Sequence, residues 1–223
     1  MNKKSSKLRH LALLTGLGLG LAQGSASAAV IVLDFEGVGD FNPVGDYYNG
    51  GAGPNYGVSF SPATLAIVDA DAGGGGNFAN EPSPNTIMFF LEADNAILNF
   101  AAGFDTGFSF FYSSSTAASV NVYDGLDGTG NLLGTLSLTA QGFDNCTGDP
   151  SGDFCNWSPV GVSFAGTARS INFGGTANQT GFDNITFGSA SPGGGTDVPE
   201  PGTLGLLGLG LAGVGLMRRR RNA

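Results

Sequence analysis

Residues 86–112 read TIMFFLEADNAILNFAAGFDTGFSFFY, and how this stretch divides decides the fold. Three apolar runs start at Thr86, Ala96 and Thr106, separated by Glu, Asp, Asn, Ala and Gly. Short runs of β-branched and aromatic residues between turn formers read as strands rather than as an amphipathic helix. Working outward, the same texture continues in both directions. Upstream lie VIVLDF from Val30, YGVSF from Tyr56 and TLAIV from Thr64. Downstream lie ASVNVYD from Ala118, LLGTLSL from Leu132, VGVSF from Val160, RSINF from Arg169 and FDNITF from Phe182. Closely spaced strands with no helices between them predict an all-β fold, an antiparallel β-sandwich of jelly-roll type. It should occupy residues 29–188, a typical size for one domain.

Two connections stand out. YDGLDGTGN, residues 123–131, alternates Asp with Gly and so invites a calcium reading. Its acidic spacing is wrong for an EF-hand and no glutamate closes it, so a hairpin connection is the simpler reading. DADAGGGGNFANEPSPN, residues 69–85, is longer than a compact sandwich needs. Its four consecutive glycines argue for a mobile loop, with a binding loop as the alternative.

Both ends of the chain differ from the body. Lys3, Lys4, Lys7 and Arg9 precede the apolar stretch LALLTGLGLGLA and the small residues Ala26, Ser27 and Ala28. This order predicts a secretory signal peptide over residues 1–28, its apolar part a signal helix, with cleavage after Ala28. At the other end a Gly/Ser-rich spacer is expected over 189–197. It leads into VPEPGTLGLLGLGLAGVGLMRRRRNA, residues 198–223. Residues 202–217 carry no charge and as a helix would span about 24 Å. That is short of the ~30 Å hydrocarbon core, a gap that bilayer thinning and snorkelling arginines can close. A single transmembrane segment is therefore expected. Arg218, Arg219, Arg220 and Arg221 should stay cytoplasmic and leave the domain outside.

Charge and composition exclude several chemistries. Of the 9 basic residues, all but Arg169 lie in the two ends, whereas all 18 acids fall between Asp34 and Glu200. A body this acidic repels phosphate backbones, so nucleic acid is excluded as a partner; divalent cations suit it better. The only histidine, His10, lies in the signal peptide. The exported part therefore has no imidazole for a Ser-His-Asp or Cys-His site. Cys146 and Cys155 are the only cysteines. In an oxidising compartment such a pair reads as a disulfide closing a short loop.

The order Val198, Pro199, Glu200, Pro201, apolar segment and terminal arginine cluster resembles the PEP-CTERM sorting signal. The resemblance covers the last 26 residues and departs mainly in a short, glycine-rich membrane segment. It implies export in a Gram-negative-type bacterium and recognition by an exosortase, a membrane-embedded cysteine protease-like enzyme. It further implies cleavage near Pro199-Glu200-Pro201 and a destination at the cell surface or in an extracellular, exopolysaccharide-rich biofilm matrix. The prolines flanking Glu200 keep that stretch extended, as a protease requires.

Within the body, DFEG at the end of the first predicted strand and FDNITF as the last are similar to calcium-binding jelly-roll carbohydrate modules. That resemblance implies Glu36 and Asp183 as ligands of a structural Ca²⁺, helped by backbone carbonyls; it departs in Asn184, where a second aspartate is frequent. Acids capping strand ends are the alternative. Glycan binding would need exposed aromatic rings, for which Trp157 is the first candidate, with Tyr47, Tyr48, Tyr56, Tyr112 and Tyr123 also available. Trp157 as a core residue is the competing reading. No short motif pairs two carboxylates for glycoside hydrolysis. The expected function is non-catalytic adhesion or matrix structure. A carbohydrate-binding module with one glycan ligand and a glycan-active enzyme are the alternatives.

Overall fold

The computed structural model of the chain describes residues 30–143 and 153–194. The expected signal peptide, Cys146, the sorting motif, the transmembrane segment and the arginine cluster lie outside the described residues. Among the described residues no helix is long and apolar enough to cross a membrane. Helical structure there is limited to a 3-10 turn at Ala70–Ala72.

Eleven strands are formed: β1 (Ile31–Leu33), β2 (Val58–Phe60), β3 (Thr64–Val68), β4 (Thr86–Phe90), β5 (Asn95–Phe104) and β6 (Gly107–Ser114). They continue with β7 (Ala118–Tyr123), β8 (Leu132–Leu138), β9 (Ser158–Ser163), β10 (Ala168–Gly174) and β11 (Thr180–Phe187). Each of the runs picked out in the sequence is a strand. They build two antiparallel sheets. The first has the order β3-β4-β11-β6-β9, with β1 also paired to β11; the second is β2-β5-β10-β7-β8. The fold is thus an all-β sandwich. The Asp-Gly stretch of residues 123–131 does connect the antiparallel neighbours β7 and β8.

The sheets meet through phenylalanine. Phe182 of β11 packs edge-on to Phe173 of β10 at 4.9 Å, and Phe187 of β11 meets Phe104 of β5 at 4.8 Å and Phe100 at 5.3 Å. Such tilted contacts favour the ring quadrupoles and add to the area buried. These two β11 rings pose a parity problem, because they are an odd number of residues apart and strict alternation would turn one of them to solvent. A bulge between Asp183 and Thr186 solves it. Asn184 adopts φ 48°, the left-handed region that asparagine tolerates better than most residues. Phe182, Ile185 and Phe187 then all face the core, while Asp183 and Thr186 face the outer side of the first sheet.

That outer side is covered. Ile67, Phe78, Ile87 and Phe89 form a second, smaller apolar cluster under the 69–85 loop. The loop, expected to be mobile for its glycines, is instead packed, with Phe78 3% exposed. Its glycines serve close approach: a Cβ at Gly74 would lie 2.2 Å from the Val68 carbonyl oxygen. At the other end of the sheet the chain after β11 turns back as a strap. Gly188 N–H donates to Gly107 C=O at 3.0 Å and Ser109 Oγ donates to Ser189 C=O at 2.9 Å. The spacer expected from residue 189 therefore begins bonded to the domain.

If the bulge sets the parity, Asn184→Gly should leave stability nearly unchanged. Asn184→Val, a β-branched residue forced to positive φ, should cost about 1–3 kcal/mol. Urea unfolding of the two variants checks this, and equal stability would refute it.

Candidate functional site

The end of β1 and the bulge of β11 bring Glu36 and Asp183 to one place, although they lie at opposite ends of the domain sequence. Two tyrosines fix the Glu36 side. Phe35 sits at φ 62°, a costly conformation for an aromatic residue. Its N–H donates to the Tyr48 hydroxyl at 2.7 Å, and the Tyr47 hydroxyl donates to the Glu36 carbonyl at 2.9 Å. Burial pushes the Tyr48 hydroxyl far above the ordinary phenol range, so it stays neutral. With the backbone so held, Glu36 Oε1 accepts from Asn85 N–H at 2.9 Å and Thr86 N–H at 2.8 Å. Its Oε2 accepts from Thr86 Oγ1 at 3.2 Å.

Asp183 is 0% exposed. Its Oδ2 accepts from Ser83 N–H and its Oδ1 from Asn184 N–H, each at 2.7 Å. Burial raises its pKa to about 7; the Ser83 and Asn184 bonds oppose the rise and the nearby Glu36 charge adds to it. Ser83 Oγ lies 3.2 Å from the Asp34 carbonyl oxygen and 3.0 Å from that of Thr86. One hydroxyl proton thus faces two carbonyl acceptors next to a buried carboxyl. Sequence reasoning found the two acids but missed Ser83, Thr86 and the tyrosine braces, which come from loops without a motif. The uneven spacing of apolar residues in FDNITF was the one available signal of the bulge.

This donor set fits a hard cation in chemistry. Two carboxylates, two carbonyls and a hydroxyl are oxygen ligands of the kind calcium takes, and two like charges in one place call for a cation or a proton. Among the described residues no group of three or more His, Cys, Asp and Glu could hold a metal. Any ion here would therefore depend on carbonyls and water.

Trp157 belongs to the other end of β11. It is half-buried, packs against the small apolar cluster and meets Phe78 edge-on at 6.2 Å. Its Nε1 donates to the Ala79 carbonyl at 3.0 Å. Gly181 gives it room, since a Cβ there would lie 3.1 Å from the indole and 2.6 Å from Ile87 Cδ1. Trp157, Phe78, Ile87 and Phe154 line a groove rimmed by Asn77 and Asn178, enclosing about 30 Å³. That is roughly one water's share of liquid, far below the ~300 Å³ of small-molecule sites. In this form the groove locks the 69–85 loop to the sheet. Of the tyrosines, Tyr48 and Tyr112 are buried, and Tyr56 is exposed and stacked on Tyr48 at 6.1 Å. Cys155 is buried, and no cysteine among the described residues is free.

Comparison with known proteins adds the following. Residues 197–221 match the PEP-CTERM protein-sorting motif, which marks an exported protein processed by an exosortase. No curated protein matches the sequence. In structure the chain is similar to a glycoside hydrolase family 43 arabinoxylan arabinofuranohydrolase from Bacillus subtilis. Identity is 20% over 58% of this chain and 25% of that one, with a TM-score of 0.37, so the chain spans a quarter of that enzyme's length. It is also similar to a β-1,3-glucan-binding CBM6 from Bacillus halodurans (16% identity, 56% of this chain, 84% of that one, TM-score 0.34). A third likeness is to a family 29 carbohydrate-binding module (12% identity, 78% and 99%, TM-score 0.37).

The raised Asp183 pKa has a direct consequence for stability in the absence of divalent ions. An acid with a folded pKa of about 7 against an ordinary 3.8 is protonated in the fold where it is ionised in the unfolded chain. Its stabilisation is complete below 3.8 and is lost as pH rises through about 7. The melting temperature of the chelator-treated domain should carry a falling contribution over that window. Asp183→Asn should flatten it, and an unchanged pH profile in that variant would refute the assignment.

Proposed function

We propose that this exported chain with its PEP-CTERM motif is a surface or extracellular-matrix protein, associated with exopolysaccharide in a biofilm, with a non-catalytic adhesive or structural role. The motif over residues 197–221 is the observation that carries the reading. In this account the exosortase cleaves the chain near Pro199-Glu200-Pro201. The apolar segment of residues 202–217 is a temporary anchor, and Arg218, Arg219, Arg220 and Arg221 stop transfer at the cytoplasmic side. Cleavage then frees a folded domain.

Calcium is the proposed ion, held by Glu36 and Asp183 with the carbonyls of Asp34 and Thr86 and the Ser83 hydroxyl as neighbours. Bound there, it would neutralise two carboxylates and tie the end of β1 and the 69–85 loop to β11. A Cys146–Cys155 disulfide is proposed to close the loop leading into Trp157. Glycan binding through Trp157 is the second reading; its aromatic and amide surroundings favour it, but the groove would have to widen by loop movement. The enzyme reading has less support, because Asp183, the acid with the raised pKa, is 0% exposed and both its oxygens accept backbone N–H.

Intact mass of the protein recovered outside the cells tests the main reading. The expected species starts near Ala29, ends near the Pro199-Glu200-Pro201 motif and resists alkylation of its cysteines without reductant. Replacing those three residues by alanine should leave the full tail on membrane-held protein. Extracellular material that still ends in Arg-Arg-Arg-Arg-Asn-Ala would overturn it. Calcium has its own test. Millimolar calcium should raise the melting temperature of the domain at neutral pH, since an ion binding only the folded state stabilises it. Asp183→Ala should abolish the rise; an equal rise in that variant would move the ion elsewhere.

A further inference from the structure

The second sheet turns one face to the core and the other to solvent. Ile171 and Phe173 of β10 and Val120 and Val122 of β7 are fully buried, so by alternation Asn172 and Asn121 lie on the outer face. They stand opposite each other in register, and Thr135 of β8 stands opposite Asn121. Asn95 of β5 joins the row by a bond to Asn172. These residues sit on adjacent strands, and the row spans roughly 14 Å. Tyr123, half-buried on β7 beyond Asn121, adds a ring to the same face.

The amides of this row are held in one direction. Thr135 Oγ1 donates to Asn121 Oδ1 at 2.8 Å, and Asn95 Nδ2 donates to Asn172 Oδ1 at 3.2 Å. Both central oxygens are thus engaged within the sheet. The Nδ2 groups of Asn121 and Asn172 donate to no acceptor among the described residues, and both side chains are partly exposed. Neighbouring strands therefore present oriented N–H donors to solvent, with the exposed hydroxyls of Ser119 and Ser137 beside them. Donors oriented in advance lower the entropy cost of binding.

One end of the row is walled. There the 124–130 loop folds onto the sheet. Asp127 N–H donates to Asn99 Oδ1 at 2.8 Å, and Asn99 Nδ2 returns a bond to Asp127 Oδ1 at 2.7 Å. Gly128 N–H donates to Ser170 Oγ at 2.9 Å. A Cβ at Gly128 would lie 3.4 Å from Ile97 Cδ1 and 3.8 Å from Asn172 Cβ, so the loop comes down beside the row and against Ile97. Asn131 closes the loop, its N–H and Nδ2 donating to Asp124 at 2.6 and 2.8 Å.

Charge narrows what the face can hold. The strands of this sheet carry a single charged side chain, Arg169. It acts on Asp124, whose carboxyl is held below the ordinary range first by Asn131 and then by Arg169. Asp127 in the loop and Asp94 before β5 flank the row with negative charge. A polyanion would meet these acids, and a polycation would meet N–H donors. A protein partner would look for an apolar centre, but Ile97 lies against the loop. A neutral chain rich in hydroxyls suits the face, because each hydroxyl can accept from the amides and donate to Asn95 Oδ1 or the serines.

We propose that this outer face binds a neutral polysaccharide lying across the strands, with Asn121 and Asn172 as its central donors and the 124–130 loop as an end wall. The proposal rests on the polysaccharide-associated reading above and places that association on the second sheet rather than at Trp157.

Equilibrium binding tests it. The purified protein is titrated onto immobilised extracellular polysaccharide from the cells that make it, split by anion exchange into neutral and acidic fractions. The neutral fraction should bind and the acidic fraction should not. Asn121→Ala combined with Asn172→Ala should weaken binding about tenfold, what two neutral hydrogen bonds supply, with urea unfolding unchanged. Ser119→Tyr, at an exposed position beside Asn121, should weaken it as well, and it decides the outcome if the double variant does not fold. Trp157→Phe should leave binding unchanged. Neutral-fraction binding that survives the face variants overturns this site and leaves polysaccharide association standing. Binding lost only in Trp157→Phe overturns it in favour of the groove. Binding to the acidic fraction alone overturns the neutral ligand class. Binding to neither fraction overturns the association and the site with it.

Discussion

The two sheets are held in register by a single demand, that Phe182 and Phe187 of β11 both reach the core. Each meets rings of the second sheet, and losing either would open a cavity of the kind that costs about 3–5 kcal/mol. A strand with strict alternation cannot satisfy both, so β11 takes an extra residue at Asn184. The bulge has an effect beyond packing. Asn184 N–H, at the bulge, donates to Asp183 Oδ1, so the same irregularity also ties down the buried carboxyl of the candidate ion site. The apolar core and the polar site are two outcomes of one backbone irregularity.

Around that carboxyl the 69–85 loop gains its order. Ser83 N–H bonds Asp183 and the Thr86 and Asn85 amides bond Glu36, while Phe78 is buried against Trp157 at the opposite end. The loop is thus fastened by charge-assisted hydrogen bonds at one end and by apolar burial at the other. Each compensates for what the glycines lose in chain entropy. The fastening is conditional on electrostatics. Burial lifts the Asp183 pKa to about 7, so the carboxyl at the centre of this fastening changes charge as pH rises through that value.

The strands were legible because their signals are local: short aromatic and β-branched runs between turn formers, with no competing helical period. The convergence of Glu36 and Asp183 was legible through the fold class, because the first and last strands of a jelly roll often lie close together, while their reading as ion ligands came from family resemblance alone. Ser83, Thr86, Tyr47 and Tyr48 were not legible, because each acts through a backbone hydrogen bond set by tertiary placement. The glycines of the 69–85 loop misled for a physical reason. Glycine signals freedom in an isolated chain, but in a packed loop it permits close backbone approach, as Gly74 does against Val68. The strap was missed in the same way. Its Gly/Ser composition reads as a linker, while the space it needs is provided by Gly107 and Gly161 on other strands.

Placing β1 beside β11 asks for contact between opposite ends of the domain sequence, the slowest kind of pairing for a free chain. In the folded domain this pair sets Ile31 opposite Phe187, and the strap after β11 turns back over Gly107 and Gly161 until Gly194 lies beside Val30. Entry and exit at one place are therefore a consequence of closing the first sheet with the first and last strands. The glycines at 107 and 161 make that closure possible, because a side chain at either position would occupy the path of the strap.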